Sequence, residues 1–478
     1  MEMVIDGTWQ AATEGETFAV LNPRDGSVVD HVPLAGPQDA DRAIRAAETA
    51  MAGWRVTPMT ERVAVQKACA QAMRDRAGEV GALLHAELGR PLMGCVGEIL
   101  RSADLLDIYA EEGLRLVAEM PLGSAPGERI IVTRDPVGVV VAITPFNYPV
   151  TLLMFKLGAA LIAGCAVVAK PSEDTPLSTL KLAEVFHDAG LPKGLFNVVT
   201  GKRALGEALV AHKIPRKIAF TGSVPAGKAI AAAAAGTMKR LTLELGGHSA
   251  AIVCADADID KAAAAIARHG FANTGQFCYR VNRVYVERPV YDAFLRNLSD
   301  RASALTLAPA GGDGDLGPLV NEKILAVSER QVADARARGG RILTGGARPM
   351  GPGFAGGHYF PPTVVAETTP EMLLMREETF GPVIGVQPVD SAAEALRLAN
   401  GSEFGLAGFV FTHDLGRGLA LCEGLEAGSV WLNDIQRSSH HVPFGGVKQS
   451  GLGREKGRYG VEAYLEYKTM YLSWEVPA

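Results

Sequence analysis

Between residue 39 and about residue 118, apolar side chains recur at intervals of three and four. Ala43, Ile44 and Ala47 come first, then Ile99, Ala103, Leu106 and Tyr109. That spacing puts them on one helical face and predicts a run of amphipathic helices. The segment before it, broken by turns such as Asn22-Pro-Arg-Asp-Gly26, predicts short strands. After Pro121 a Gly- and Pro-bearing break leads into the alternating Arg129-Ile-Ile-Val-Thr-Arg134, a further strand. The pattern then changes to continuous apolar runs at 137–143, 166–169, 195–199 and 217–220. Helices are predicted after Pro149, after Pro176 and from Pro225. Apolar strands alternating with helices over short loops indicate a parallel sheet covered on both faces. The alanine-rich 229–235 follows a glycine-bearing turn and reads as a closely packed helix. A second α/β series runs from 250 to about 432, and the tail at 462–472 is strand-like. The expected fold class is α/β.

Composition narrows the function classes. A chain of 478 residues is long enough for two or three domains. Its net charge of −6, without a dense Lys/Arg cluster, argues against a nucleic-acid partner. The opening Met1-Glu-Met-Val-Ile-Asp6 has no basic and then apolar leader pattern. The apolar run at 157–169 is closed by Lys156 and Lys170, short of the roughly 18 residues a bilayer span needs. A soluble, cytoplasmic protein with no membrane partner is expected. The six cysteines form no CxxC pair and sit at no metal-ligand spacing, so reduced thiols and no metal are expected.

Two segments carry candidate chemistry. Cys278 ends Phe271-Ala-Asn-Thr-Gly-Gln-Phe-Cys278, and Glu244 lies in Leu243-Glu-Leu-Gly-Gly247. A thiol that adds to a carbonyl, with a carboxylate that activates water, is the minimum equipment for oxidising an aldehyde to an acid. Spacing alone does not carry that reading, because an isolated cysteine is more often a small core residue. Gly222-Ser-Val-Pro-Ala-Gly227 follows a strand and opens a helix, a geometry that suits a phosphate. Lys170 and Glu173 stand at the end of a buried strand, where open parallel sheets bind ligands.

The order of motifs resembles the NAD(P)-dependent aldehyde dehydrogenase superfamily from about residue 5 to about 471. The matching segments are Thr144-Pro-Phe-Asn-Tyr-Pro149, Lys170-Pro-Ser-Glu173, Phe220-Thr-Gly-Ser223 with Gly227, the Glu244 and Cys278 segments, Glu378-Thr-Phe-Gly-Pro382, Trp431-Leu-Asn433 and Pro443-Phe-Gly-Gly446. The resemblance implies Cys278 as nucleophile, Glu244 as the base for deacylation, and Asn147 as an oxyanion donor beside the Cys278 backbone N–H. It sets Thr144, Pro145, Phe146, Lys170, Ser172, Glu173, Gly222, Ser223, Gly227, Leu245, Glu378 and Phe380 around a dinucleotide. Glu173 would accept from the ribose 2′-hydroxyl and repel a 2′-phosphate, favouring NAD over NADP.

By the same resemblance the fold is two parallel-sheet α/β domains plus a small β oligomerisation extension. A Rossmann-like cofactor domain takes 1–122 and 138–246, a catalytic domain 247–446, and the extension 123–137 and 447–478. Its exposed edge implies a homodimer or homotetramer. Semialdehyde dehydrogenases of this family often carry arginines where this chain has Phe155 and Ala272. Tyr148, Phe155, Phe277 and Tyr279 therefore suggest an apolar tunnel for a small neutral or aromatic aldehyde. Arg280, Arg437, His440 and His441 keep a small anionic semialdehyde as the alternative. A coenzyme A-acylating activity is disfavoured by Glu244.

Overall fold

The uninterrupted apolar runs become the middle of an eight-stranded sheet. In the computed structural model, which describes residues 1–121, 123, 125–435 and 438–475, the order is Thr8–Gln10, Met3–Ile5, Phe196–Val198, Val167–Lys170, Val140–Ile143, Lys217–Thr221, Arg240–Glu244 and Gly451–Leu452. The five strands from Phe196–Val198 to Arg240–Glu244 pair in parallel. Val167–Lys170, Phe196–Val198 and Lys217–Thr221 are buried at every residue, which is why they read as apolar runs without alternation.

Taken in chain order, those five strands lie 3-2-1-4-5 across the sheet. The order reverses between Val140–Ile143 and Lys217–Thr221, and the loops leaving their carboxyl ends diverge to open a crevice. The helical run predicted from 39 to 118 is Pro37–Trp54, Met59–Asp75, Ala77–Leu88 and Leu92–Leu114. Helix Pro149–Ala163 is buried at fourteen of its fifteen positions because Leu92–Leu114 and its neighbours cover it. The helix Arg203–Ala211 lies in a stretch that the periodicity left unassigned. Its buried face is only Leu205, Leu209 and Val210.

The second series forms a seven-stranded sheet ordered Arg341–Thr344, Thr363–Ala366, Val383–Val389, Val281–Glu287, Ser249–Val253, Ala407–Phe411 and Ser429–Leu432. Only its Arg341–Thr344 edge pairs antiparallel. The fold is α/β, with a parallel sheet in each of two domains. Residues beyond 447 divide between two places. Gly451–Leu452 pairs with Leu243 and Glu244 on the first sheet, whereas Leu465–Ser473 pairs along its whole length with Glu128–Pro136. Among the described residues no helix is long and apolar enough to cross a membrane, and no group of three His, Cys, Asp or Glu is placed to hold a metal ion.

Candidate active site

Four adjacent strands deliver the first sheet's candidate residues to one edge. Ile143, which precedes Thr144-Pro-Phe-Asn147, registers with Lys170 on one side and Phe220 on the other. Glu244 registers with Thr221, which precedes Gly222. Thr144, Lys170, Gly222 and Glu244 therefore line up at the carboxyl ends of parallel strands, the side on which such sheets bind ligands.

Asn147 is fixed by a buried charge network. The Glu98 carboxylate, fully buried, pairs with Arg90 and accepts the Val150 and Thr151 N–H groups at 3.0 Å each. It thus satisfies first-turn donors of helix Pro149–Ala163. Arg90 lies 4.7 Å over the Tyr148 ring and donates to the Asn147 carbonyl at 3.5 Å. From the other sheet, Asn273 Nδ2 donates to the same carbonyl at 3.1 Å, joining the cysteine loop to Asn147.

That loop is strained. Asn273, Thr274 and Gly275 have φ of 49°, 56° and 75°, and a β-branched residue in this left-handed region is unfavourable. Thr274 is held there by its hydroxyl on the Gly317 carbonyl at 2.8 Å. The Gln276 amide bonds Pro318 O at 3.3 Å and Val320 N at 2.9 Å. Cys278 follows, half-buried. Burial, and then the Glu378 and Glu244 carboxylates, push its thiol up to about 12. At neutral pH such a thiol reacts only if a base takes its proton.

Glu244 fits that task. It is 3% exposed, and neither carboxylate oxygen has a hydrogen-bond partner among the described residues. Burial and the nearby Glu455 carboxylate hold its carboxyl well above the usual range, while Lys156, Arg454 and Lys456 oppose that shift. Lys156, fully buried, donates to Thr221 Oγ1 at 2.7 Å and to Glu455 Oε1 at 2.8 Å.

The strand ends also fit a dinucleotide. Lys170 is 7% exposed, yet its ammonium donates only to Pro171 O at 3.3 Å, leaving donors without a protein acceptor among the described residues. Ser172 accepts from Asp174 N at 3.3 Å, and Glu173 is exposed beside it. Ser223 makes no side-chain cap on helix Val224–Ala235, so first-turn amides remain for a phosphate. Gly227 packs so closely that a Cβ would lie 2.5 Å from Leu245 Cδ2. Glu378 accepts from Gly247 N at 2.9 Å, and burial raises its carboxyl to about 7. A Cβ on Gly247 would lie 2.2 Å from Cys278 O, so only glycine lets Glu244's strand pass the nucleophile. Phe380 meets Phe146 edge-on at 5.7 Å. Glu377 pairs instead with Arg330 at 2.5 Å, away from this group.

Three of the four aromatic residues expected to form a tunnel, Tyr148, Phe277 and Tyr279, come together. Tyr148 and Phe277 lie 6.4 Å apart, Phe277 and Tyr279 5.1 Å, and Tyr279 and Phe444 5.4 Å. Phe155 meets His440 at 6.4 Å. Two expectations change. Arg280 does not face substrate: 1% exposed, its guanidinium donates to the carbonyls of Gly270, Val281 and Val383 at 3.1, 2.9 and 2.6 Å. It stands where the loop turns into the strand Val281–Glu287, so its side chain goes beneath the sheet. His440 adds no charge, because burial and then Lys456 lower its imidazole to about 4. Arg437 lies outside the described residues.

The sequence reading missed Arg90, Glu98, Lys156, Glu455 and Lys456. Lys156 did leave a signal, as a lone cation in the apolar 150–163 segment.

Comparison with known proteins agrees with this geometry. The sequence profile of the aldehyde dehydrogenase family matches residues 9–470. A 3-sulfolactaldehyde dehydrogenase of Pseudomonas putida is 40% identical, covering 98% of this chain and 96% of its own. An NADP(+) succinate-semialdehyde dehydrogenase of Escherichia coli is 38% identical over 98% and 97%. The crystal structure of a succinate-semialdehyde dehydrogenase from Burkholderia pseudomallei superposes with a TM-score of 0.96 at 40% identity, over 99% of this chain and 98% of that one. Both sheets and the crevice that joins them fall within these matches, and the chain belongs to the aldehyde dehydrogenase family, as an enzyme that oxidises aldehydes.

Proposed function

We propose that Cys278, Asn147 and Glu244 carry the oxidation through two half-reactions ending in a free carboxylic acid. The observation that carries this reading is Glu244, a buried carboxylate with both oxygens unbonded to protein among the described residues. Glu244 takes the Cys278 proton, and Sγ bonds to the carbonyl carbon. The Asn147 side-chain amide and the Cys278 N–H hold the resulting oxyanion. Its collapse expels hydride from that carbon and leaves a thioester. NAD, when bound, supplies the hydride acceptor. Glu244 gives that first proton up to solvent and then takes a proton from water, whose oxygen adds to the thioester, and the Cys278 thiolate leaves as the acid is released.

The cofactor reading is NAD over NADP, supported by the exposed carboxylate of Glu173 beside Lys170. The Escherichia coli relative is named for NADP(+), so the comparison leaves this as a proposal resting on charge. Two relatives are named for a sulfonate- or carboxylate-bearing aldehyde, which favours an anionic aldehyde here over the neutral one suggested by Phe155. The open edge of the Leu465–Ser473 hairpin, with Tyr467, Tyr471 and Leu472 exposed, supports a homodimer or dimer of dimers. Light scattering that finds only monomer at micromolar concentration would remove that reading.

Mass spectrometry of Glu244→Gln, quenched after mixing with aldehyde and NAD, tests the mechanism. At a pH high enough for hydroxide to ionise Cys278 in place of Glu244, the expected result is an acyl adduct on Cys278, formed slowly with about one NADH per site, and a turnover slowed roughly 10²–10⁴-fold. An adduct on another cysteine, or steady turnover by Cys278→Ala, refutes it.

A further inference from the structure

Lys456 is a buried cation that the two half-reactions do not use. It is 3% exposed and has φ 71°, a conformation that residues with a side chain adopt at a cost. Its backbone is clamped there. Its N–H donates to Tyr109 Oη at 3.2 Å, and the next N–H, of Gly457, donates to His440 O at 2.9 Å. The clamp delivers the ammonium into the aromatic wall, 5.0 Å from the Phe155 ring centroid and 4.7 Å from that of Phe444.

An ammonium has three donors, and among the described residues this one makes a single hydrogen bond, to Ser438 Oγ at 2.8 Å. Among the described residues no carboxylate stands within ion-pair distance of it. The carboxylate next in sequence, Glu455, is taken by Lys156. Glu455 and Glu244 act on this ammonium only through space, and since buried charges are ordinarily paired directly, a bonded anion is missing among the described residues. Burial lowers the Lys456 ammonium to about 8, which keeps it mostly charged at neutral pH, and the Cys278 sulfur is among the groups acting on it. Phe444, with its ring 4.7 Å from this ammonium, meets the ring of Tyr279, the residue after Cys278, at 5.4 Å, so a short aldehyde bonded to Cys278 has the ammonium as a neighbour across that ring. The two rings exclude water around the ammonium and strengthen its pairing with an oxyanion.

We propose that Lys456, between Phe155 and Phe444 and beside Ser438, receives an oxyanion group carried at the far end of the aldehyde substrate. The proposal rests on the reading of Cys278 as nucleophile and names the specificity residue of that site.

The test compares succinic semialdehyde, whose far end is a carboxylate, with pentanal, a neutral aldehyde of similar length, in the full-length enzyme with NAD. In Lys456→Met the ratio of kcat/KM for succinic semialdehyde over pentanal should fall about 10²–10³-fold, as expected for losing one partner of a desolvated charge pair. The loss should lie mainly in KM for the anionic aldehyde. Lys456→Arg, which keeps the charge, should retain most of the ratio. NADH burst amplitude and the Cys278 adduct, measured with each aldehyde, report folded and competent sites. An equal loss for both aldehydes with a slowed burst would mean that Lys456 acts on the thiol or Glu244, and an unchanged ratio would mean that it meets no anion. Either overturns the proposal. A wild-type enzyme without a Cys278 adduct from either aldehyde sinks the nucleophile reading instead, which separates the two failures.

Discussion

Lys156→Met removes one ammonium from a place where three groups depend on it. Lys156 is fully buried, its Nζ is 2.7 Å from Thr221 Oγ1 and 2.8 Å from Glu455 Oε1, and the second Glu455 oxygen has no protein partner among the described residues. Methionine fills similar volume, so the cavity contribution is small and the electrostatic one dominates. Breaking a buried pair by removing one partner costs about 3–5 kcal/mol, and the orphaned Thr221 hydroxyl adds about 1 kcal/mol. The unfolding equilibrium should therefore shift by roughly 10³–10⁴-fold. The pH dependence has a definite sign. Without Lys156 the Glu244 carboxyl, already held well above the usual range, binds its proton still more tightly in the folded state, so the variant loses stability as pH rises through that raised folded value. Lys156 is also one of the groups holding the Glu244 carboxyl down, so the alkaline onset of deacylation should move upward. Urea titrations at pH 6 and pH 8, at one protein concentration, measure both effects across a cycle with Glu455→Gln and the double variant. The double variant should recover most of the loss, since Lys156→Met with Glu455→Gln leaves no unpaired charge at that pair. A single variant within about 1 kcal/mol of wild type at both pH values, or a double variant no better than the single, would refute the argument.

Asn147→Ala should slow the NADH burst by roughly 10²–10³-fold, measured by stopped flow, because one oxyanion donor is lost before the thioester forms. Glu173→Ala should raise the NADP-to-NAD ratio of kcat/KM, and wild-type efficiency higher with NADP would overturn the ribose assignment. Arg280→Met should lower the urea midpoint, because three buried carbonyls lose their donor, while the ranking of aldehydes by kcat/KM stays as in wild type. Burial raises Glu378 to about 7, so wild type should lose stability relative to Glu378→Gln as pH rises from about 4.5 to about 7. A wild-type midpoint that rises relative to that of Glu378→Gln over this range would contradict that sign.

The parts of the site that are local in sequence were readable. Lys170 ends a strand whose apolar run is visible, and Asn147, Glu244 and Cys278 sit in short motifs with a fixed order. The missed residues owe their chemistry to distant partners. Lys156 reads as the polar end of an apolar run until the fold sets Glu455, 299 residues away, against it. Nothing around Lys456 announces a cation among aromatic rings, because Phe155 and Ser438 reach it only when the segment after 443 folds onto helix Pro149–Ala163. Arg280 misled for the opposite reason. Two residues from Cys278, it seemed bound to share its surroundings, but the entry into the strand Val281–Glu287 turns it underneath.

The path of the chain after Pro443 ties the Leu465–Ser473 strand to the surroundings of Glu244. Gly445 packs against the Glu244 carboxylate, where a Cβ would come within 2.7 Å, and Gly451–Leu452 then joins the sheet edge beside it. Glu455 and Lys456 follow, and after the helix Gly457–Glu462 the same stretch becomes the Leu465–Ser473 hairpin strand. No flexible linker separates the hairpin from the two buried charges. Only eight residues separate Lys456 from the start of that strand, so whatever tethers, trims or loosens the hairpin pulls directly on the floor of the catalytic pocket. Heating or clipping at the tail should then dim activity before the sheets melt.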